Sequence, residues 1–183
     1  MRVFAALPLP PRTAHLLAET LISFRQAGPG LKTVSVDGLH VTLHFFGEID
    51  EAAISALQSA MDHPRLSRPP IPAVLGPLGR FPPSGNPNVL FRRIDAGGVE
   101  IASYRGLFLA AIALLGYRPE ERPFTAHVTV ARNRGGGVNL RDVAEPEPLV
   151  FAFEECVLFR SIMERTGARY EPLKRIRFRE VTP

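Results

Sequence analysis

The string His40-Val41-Thr42-Leu43 returns as His127-Val128-Thr129-Val130, 87 residues later in a chain of 183. Each copy sits in a run of β-branched and aromatic residues, so each reads as a strand. Successive side chains on a strand point to opposite faces. His40 and Thr42 therefore share one face and turn Val41 and Leu43 to the other, and His127 and Thr129 do the same against Val128 and Val130. A lone His-x-Thr carries little information. Two copies at nearly half-chain spacing point to two related halves, and a pseudo-twofold axis between them would set two imidazoles and two hydroxyls around one small ligand.

That set suits proton transfer at phosphorus. An unperturbed imidazole titrates near ~6.5, so one histidine can be neutral while the other is protonated. The neutral ring takes a proton from water, and the imidazolium gives one to a departing oxygen. In-line displacement puts those two oxygens on opposite sides of the phosphorus. The hydroxyls of Thr42 and Thr129 can donate to non-bridging phosphate oxygens. The near symmetry of the copies leaves open which histidine is the acid. No metal is required, and no His/Asp/Glu set has zinc spacing.

Other candidates divide by position. Arg132 is a natural phosphate ligand. Strict alternation, however, puts it with Val128 and Val130, and it reaches the histidine face only if the strand bends or ends there. His44 shares the face of His40 and Thr42 and reads as a solvated strand end rather than a wall of the site. His15 and His63 fall on helix surfaces or ends. Phe45, Phe46 and Phe124 border the motifs. Aromatics there can stack on RNA bases, Phe124 best placed of the three, but core packing is the commoner role. Gly135-Gly136-Gly137 lacks the Lys-Ser/Thr and helix of a phosphate loop and reads as a turn.

The elements that must position these residues follow from pattern. Arg2 to Leu7 reads as a strand, and Pro10-Pro11 open a helix that Gly28 to Gly30 end. A second strand lies within Val34 to Phe46, and Asp50 caps a helix carrying Ile54, Leu57 and Met61. A short strand is expected near Ile71 to Leu75, then a long loop from Gly76 to Asn88 and a strand to Ile94. An apolar helix over Val99 to Leu115 ends at Gly116. Further strands are expected over Thr125 to Arg132, Leu149 to Phe153 and Cys156 to Ser161. After a turn at Thr166-Gly167, a last one runs over Tyr170 to Phe178. Strands and helices mix without strict alternation, which predicts an α+β fold with mostly antiparallel sheets.

Composition sets the outer bounds. With 45% apolar and 22% charged residues, the chain is that of a globular protein, expected as one domain over 1–183. The net charge of +4 rests on 22 basic residues of which only Lys32 and Lys174 are lysines. An arginine-rich surface does not oppose a phosphate ligand. The basic run from Lys174 to Arg179 either touches an RNA backbone or protects an edge strand. Cys156 is the single cysteine, which excludes an internal disulfide framework and a cysteine-based zinc cage. No apolar run approaches the ~20 residues of a spanning helix. The first ten residues, broken by Pro8 and Pro10, do not read as a secretion signal. A cytoplasmic protein without a membrane partner is the expectation.

His40-Val41-Thr42-Leu43-His44-Phe45-Phe46-Gly47 resembles the first signature of the two-histidine phosphoesterases, His-x-Thr-Leu-x-Phe-x-Gly. Phe124 to Arg132 resembles their second. The closest branch is that of the RNA 2′,3′-cyclic phosphodiesterases, also called bacterial and archaeal 2′-5′ RNA ligases. Arg2 to Ala6 resembles the branch's opening strand, and Val157 to Ser161 with Tyr170 to Leu173 its closing hairpin, so the likeness covers nearly the whole chain. Two departures are Ala126, where the branch often has Pro, and Val130, where Leu is common.

The resemblance implies a bilobal fold: two pseudo-symmetric antiparallel sheets lining a central cleft, with helices outside. It implies hydrolysis of an RNA 2′,3′-cyclic phosphate to a 2′-phosphomonoester without a metal or other cofactor, and reversible 2′-5′ ligation. His40 would be the proton donor to the 3′ leaving oxygen and His127 the proton acceptor from water. Thr42 and Thr129, with Arg132 if it reaches them, would hold the phosphate. The implied partner is RNA with 2′,3′-cyclic phosphate ends, tRNA fragments included, acted on by a monomer. Nucleotides would fit the phosphate site without ATP being obligatory. Two readings stay open beside this: a phosphodiesterase for small cyclic nucleotides or ADP-ribose cyclic phosphate, and an RNA-end binding protein with little turnover.

Overall fold

The computed structural model describes residues 1–22, 24, 27–118, 123–141, 143, 145–164 and 167–179. Among them, nine strands and three α-helices follow in order: β1 (Arg2–Pro8), α1 (Pro11–Thr20), β2 (Leu31–Thr33), β3 (His40–Glu48), α2 (Glu51–Ala60), β4 (Ile71–Phe81), β5 (Val89–Ala96), α3 (Gly98–Ile112), β6 (His127–Asn133), β7 (Leu149–Phe153), β8 (Glu155–Met163) and β9 (Ala168–Arg177). All strand pairs are antiparallel.

The strands form one sheet in the order β7-β4-β5-β6-β3-β1-β8-β9, with β2 against β6. The two sheets expected are its two halves. They meet at β3 and β6, whose register holds one pair, Val41 with Val128. The repeat seen in the motifs extends to whole elements. β1 and β5, α1 and α3, and β3 and β6 each start 87 residues apart. Each half is thus built on a strand–helix–strand unit whose last strand begins with a histidine.

Burial separates the two faces of the sheet. Val3, Ala5 and Leu7 of β1 join Leu17 of α1, Leu57 of α2 and Phe108 of α3 in the main core. Phe4 and Ala6 turn the other way and pack with Val157 and Phe159 in a second, smaller cluster. β1 is therefore apolar on both faces, which is why it reads as an unbroken apolar run. The Asp50 side chain accepts from Ala53 N at 2.8 Å and starts α2, a cap worth about 1 kcal/mol.

Several boundaries differ from those read in the sequence. Helix α1 ends at Thr20, well before Gly28. The Leu21 N–H turns back to Ala18 in a tighter bond, and Thr20 Oγ1 donates to the Leu17 carbonyl at 2.7 Å. Strand β4 does not stop at Leu75 but runs to Phe81, with its register shifting around Gly76 and Pro77. These two residues resemble a loop in sequence and form a bulge in the fold. Arg92 of β5, 0% exposed, makes the bulge tolerable: its guanidinium donates to the Leu75 and Gly76 carbonyls and to those of Pro146 and Glu147.

β2 has only three residues and no sequence signal. Gly116 ends the α3 region in the left-handed conformation, φ +83°. Gly98–Leu115, contrary to the sequence expectation, is long and apolar enough to cross a membrane by length and composition alone. In the fold its Ile101, Tyr104, Phe108, Leu109 and Ile112 are buried. The turn before β9 includes Thr166, which lies outside the described residues. β9 is an edge strand. Its Lys174 pairs with Asp62 at 2.6 Å and its Arg175 with Glu155.

Candidate active site

β3 and β6 pair through Val41 and Val128, which face the core. His40, Thr42, His127 and Thr129 all line a single cleft of about 1570 Å³ on the opposite face. The alternation read in the sequence holds for these four residues. It fails just beyond them, in the same way on both strands.

On β3, Ala6 pairs with Thr42 and Ala5 with His44, so Leu43 is an extra residue, a β-bulge. On β6, Phe91 pairs with Thr129 and Leu90 with Ala131, so Val130 is the extra one. Leu43 and Val130 are themselves 87 residues apart. Each bulge buries two consecutive residues, Leu43 with His44 and Val130 with Ala131, and resets the phase. The next residues, Phe45 and Arg132, then return to the cleft. Arg132 thus reaches the site by the bend that strict alternation did not foresee.

His44 corrects the sequence reading. It is 5% exposed, not a solvated strand end, and its ring meets Phe46 at 4.9 Å and Tyr117 at 6.3 Å. Phe46 packs against the core, Phe45 is 46% exposed in the cleft, and Phe124 lines it beneath Arg105. His15 bonds the Pro11 carbonyl of its own helix, and His63 caps a short turn. Neither lines the cleft, nor does any residue of the 174–179 run. Cys156 is buried, and burial pushes its thiol up to about 12.

The two imidazoles are held alike. His40 Nδ1 lies 2.8 Å from the Gly38 carbonyl, and His127 Nδ1 lies 2.8 Å from that of Thr125. A carbonyl only accepts, so Nδ1 carries the proton in both rings and Nε2 is the nitrogen that gains or loses one. His40 Nε2 has Thr42 Oγ1 at 3.2 Å, with the hydroxyl as donor when the ring is neutral. Burial pushes His40 down to about 4. The Gly38 bond opposes that push, and the charges of Arg132 and His127 add to it.

Aromatic rings repeat around the histidines. Phe4 of β1 lies 5.0 Å from His40 and stacks on Phe159 at 5.4 Å. Phe91 of β5 lies 5.0 Å from His127 and stacks on Phe81 at 4.4 Å. Phe4 and Phe91 are again 87 residues apart. Tyr170 adds an edge contact to His40 at 5.4 Å. Sequence reasoning missed these walls, although extending the 87-residue offset beyond the motifs finds Phe4 and Phe91. It also missed Arg105, Lys32 and Arg134, which line the cleft as well. Among the described residues, no three His, Cys, Asp or Glu side chains gather where they could hold a metal ion.

The chain as a whole is similar to known proteins. The sequence model of the family described as "2′-5′ RNA ligase superfamily" matches residues 11–161. The RNA 2′,3′-cyclic phosphodiesterase of Aeropyrum pernix is 28% identical over 167 residues, covering 88% of this chain and 94% of that protein. The crystal structure of TT0787 of Thermus thermophilus superposes with a TM-score of 0.81 at 28% identity, over 98% of this chain and 99% of that one. Escherichia coli LigT, solved in complex with 3′-AMP, shares the fold with a TM-score of 0.78 at 24% identity, over 97% of each chain.

Proposed function

The chain belongs to the 2′-5′ RNA ligase superfamily, and on that footing we propose that it is an RNA 2′,3′-cyclic phosphodiesterase that opens the cyclic phosphate to a 2′-phosphomonoester. The observation that carries this reading is the matched pair of imidazoles. Each has its Nδ1 tied to a main-chain carbonyl, and both line one cleft with Thr42, Thr129 and Arg132. Relatives across most of the chain length bear that activity in their names.

In this mechanism His127 Nε2 takes a proton from water as the water oxygen bonds to phosphorus. The P–O3′ bond breaks, and His40 Nε2 gives its proton to the departing 3′ oxygen. Thr42, Thr129 and Arg132 hold the non-bridging oxygens, where negative charge accumulates. Burial, helped by the charges of Arg132 and His127, pushes His40 toward neutrality. A phosphodiester anion beside Nε2 favours the imidazolium, so the substrate itself loads the acid. With an RNA 5′-hydroxyl in place of water, the same two proton transfers would join ends through a 2′-5′ linkage. No step requires a metal.

The test is a short RNA ending in a 2′,3′-cyclic phosphate, incubated in EDTA and followed by phosphorus NMR. Wild type is expected to yield the 2′-phosphate, while His40→Ala and His127→Ala each lose about 10²–10⁴-fold in rate. A 3′-phosphate product, or full activity in either variant, would overturn the reading.

A further inference from the structure

Cations line both halves of the cleft, Arg2 and Arg169 on the β1–β9 side, but on the β6 side three of them stand together. Lys32 of β2 and Arg132 of β6 are register partners, so two like charges stand side by side on one face of the sheet. Such a pair destabilises a sheet unless an anion lies between or above the charges. Arg134 follows two residues on, and its N–H bonds the Gly30 carbonyl at 2.9 Å, which continues the pairing. Alternation then puts Arg134 on the face of Arg132, and all three line the cleft.

Among the described residues none of the three has an ion-pair partner, although Asp37 lines the same cleft. Arg169, also in the lining, is by contrast paired with Glu164 and Glu171. The other half does not repeat the feature. There the places 87 residues before Arg132 and Arg134 are held by Phe45 and Gly47. The near-twofold site thus carries this cluster of three cations on one side alone, although Arg2 lines the other.

We propose that Lys32 and Arg134 form a second phosphate subsite, which takes the phosphodiester joining the terminal nucleotide to its 5′ neighbour. The proposal rests on the cyclic phosphate being bound at the histidines. Two residues along a strand span about 7 Å, comparable with the phosphate-to-phosphate step of a sugar–phosphate chain. One phosphate can therefore sit at Arg132 while the next reaches Arg134. The Lys32 ammonium supplies a mobile point charge there, and the Arg134 guanidinium can bind two oxygens at once. The substrate so selected is an oligoribonucleotide end rather than a cyclic mononucleotide.

Binding separates this from the reaction itself. Adenosine 2′-monophosphate carries the product phosphate alone, whereas adenosine 2′,5′-bisphosphate adds one where the linking phosphodiester would be. Calorimetric titration of wild type is expected to show the bisphosphate binding about tenfold tighter, with a steeper fall as salt rises. In the Lys32→Ala/Arg134→Ala double variant the advantage should shrink to about twofold or less. Equal affinities in wild type would overturn the subsite, as would an advantage that survives in the double variant. So would an equal loss in Lys174→Ala, whose ammonium pairs with Asp62 away from the cleft. Turnover of the cyclic-phosphate RNA is measured on the same samples. A bisphosphate advantage without turnover would overturn the hydrolase and keep the subsite; turnover without the advantage would do the reverse.

Discussion

Arg105 of helix α3 donates its Nε–H to the main-chain carbonyl of Leu43 at 2.8 Å. Leu43 is the extra residue of the β3 bulge, one position beyond Thr42. The same guanidinium lies over the Phe124 ring, 4.7 Å from its centroid. Phe124 adjoins Thr125, whose carbonyl fixes His127. One side chain therefore braces the backbone beyond the first motif and the segment leading into the second.

Replacing Arg105 should consequently cost rate more than affinity. In Arg105→Ala the Leu43 carbonyl loses its donor and Phe124 its cation, at a stability cost of about 1–2 kcal/mol. Small displacements of positioned groups cost up to ~10²-fold, so kcat should fall at least about tenfold while KM changes little. Arg105→Lys keeps the charge but not the planar fork, and should recover only part of the loss. Steady-state kinetics beside thermal melts would check this. Unchanged kcat in a folded Arg105→Ala protein would show that the bulge holds without its brace.

Gly79 and Gly106 make opposite predictions. A Cβ on Gly79 would stand 2.4 Å from the Phe91 ring, which packs against His127. Gly79→Ala must push that ring aside, costing about 1–3 kcal/mol and lowering activity through His127. Gly106 lies within α3, and a Cβ there meets nothing within 4 Å. Gly106→Ala should stabilise the fold by about 0.5–1 kcal/mol and leave the rate alone. Melting temperatures and kcat for the two variants give the comparison, and loss of activity in both would contradict it.

What the sequence showed, and what it hid, divides along physical lines. The His-x-Thr copies were legible because a strand with one polar and one apolar face has period two, and because two copies of one string are hard to miss. The phase reset after Thr42 and Thr129 was not. A bulge leaves no mark in the hydrophobic pattern, so alternation alone puts His44 at a solvated strand end and does not bring Arg132 to the cleft. Gly76-Pro77 suggested a loop because the residue that satisfies the bulge, Arg92, is distant in sequence and resembles a surface arginine. β2 is too short to carry a pattern, and Lys32 was invisible as a cleft residue for that reason. Asp50, Gly116 and the tail hairpin were read correctly since their signals are local.

Acid should weaken the fold partly through His40. Its folded value of about 4 lies below the ordinary 6.5, so the folded protein favours the neutral ring. The unfolded chain then binds more protons than the folded one between those values. The resulting stability is present above about 6.5 and is lost as the pH falls toward 4. His40→Gln removes this titration, so urea midpoints should converge on, or cross, those of wild type as the pH drops through that window. Inorganic phosphate should oppose the loss in wild type, because an anion beside Nε2 favours the imidazolium. Parallel pH curves for the two proteins would exclude His40 as the source.

The roles of the two histidines can be separated by changing the leaving atom. The copies are nearly symmetric, and both rings expose Nε2 as the exchanging nitrogen, so holding geometry alone does not choose between them. An acid matters in proportion to the basicity of the group it protonates. A 2′,3′-cyclic phosphate with sulfur in place of the 3′ bridging oxygen departs as a thiolate and needs no proton. His40→Ala should therefore regain most of its lost rate on the sulfur substrate, a recovery of at least about tenfold relative to the oxygen substrate. His127→Ala should not recover, because water must still lose a proton as it attacks. Rescue of His127→Ala instead would assign the acid to β6 and the base to β3. In that case the burial that favours a neutral His40 would be the property that makes it the base.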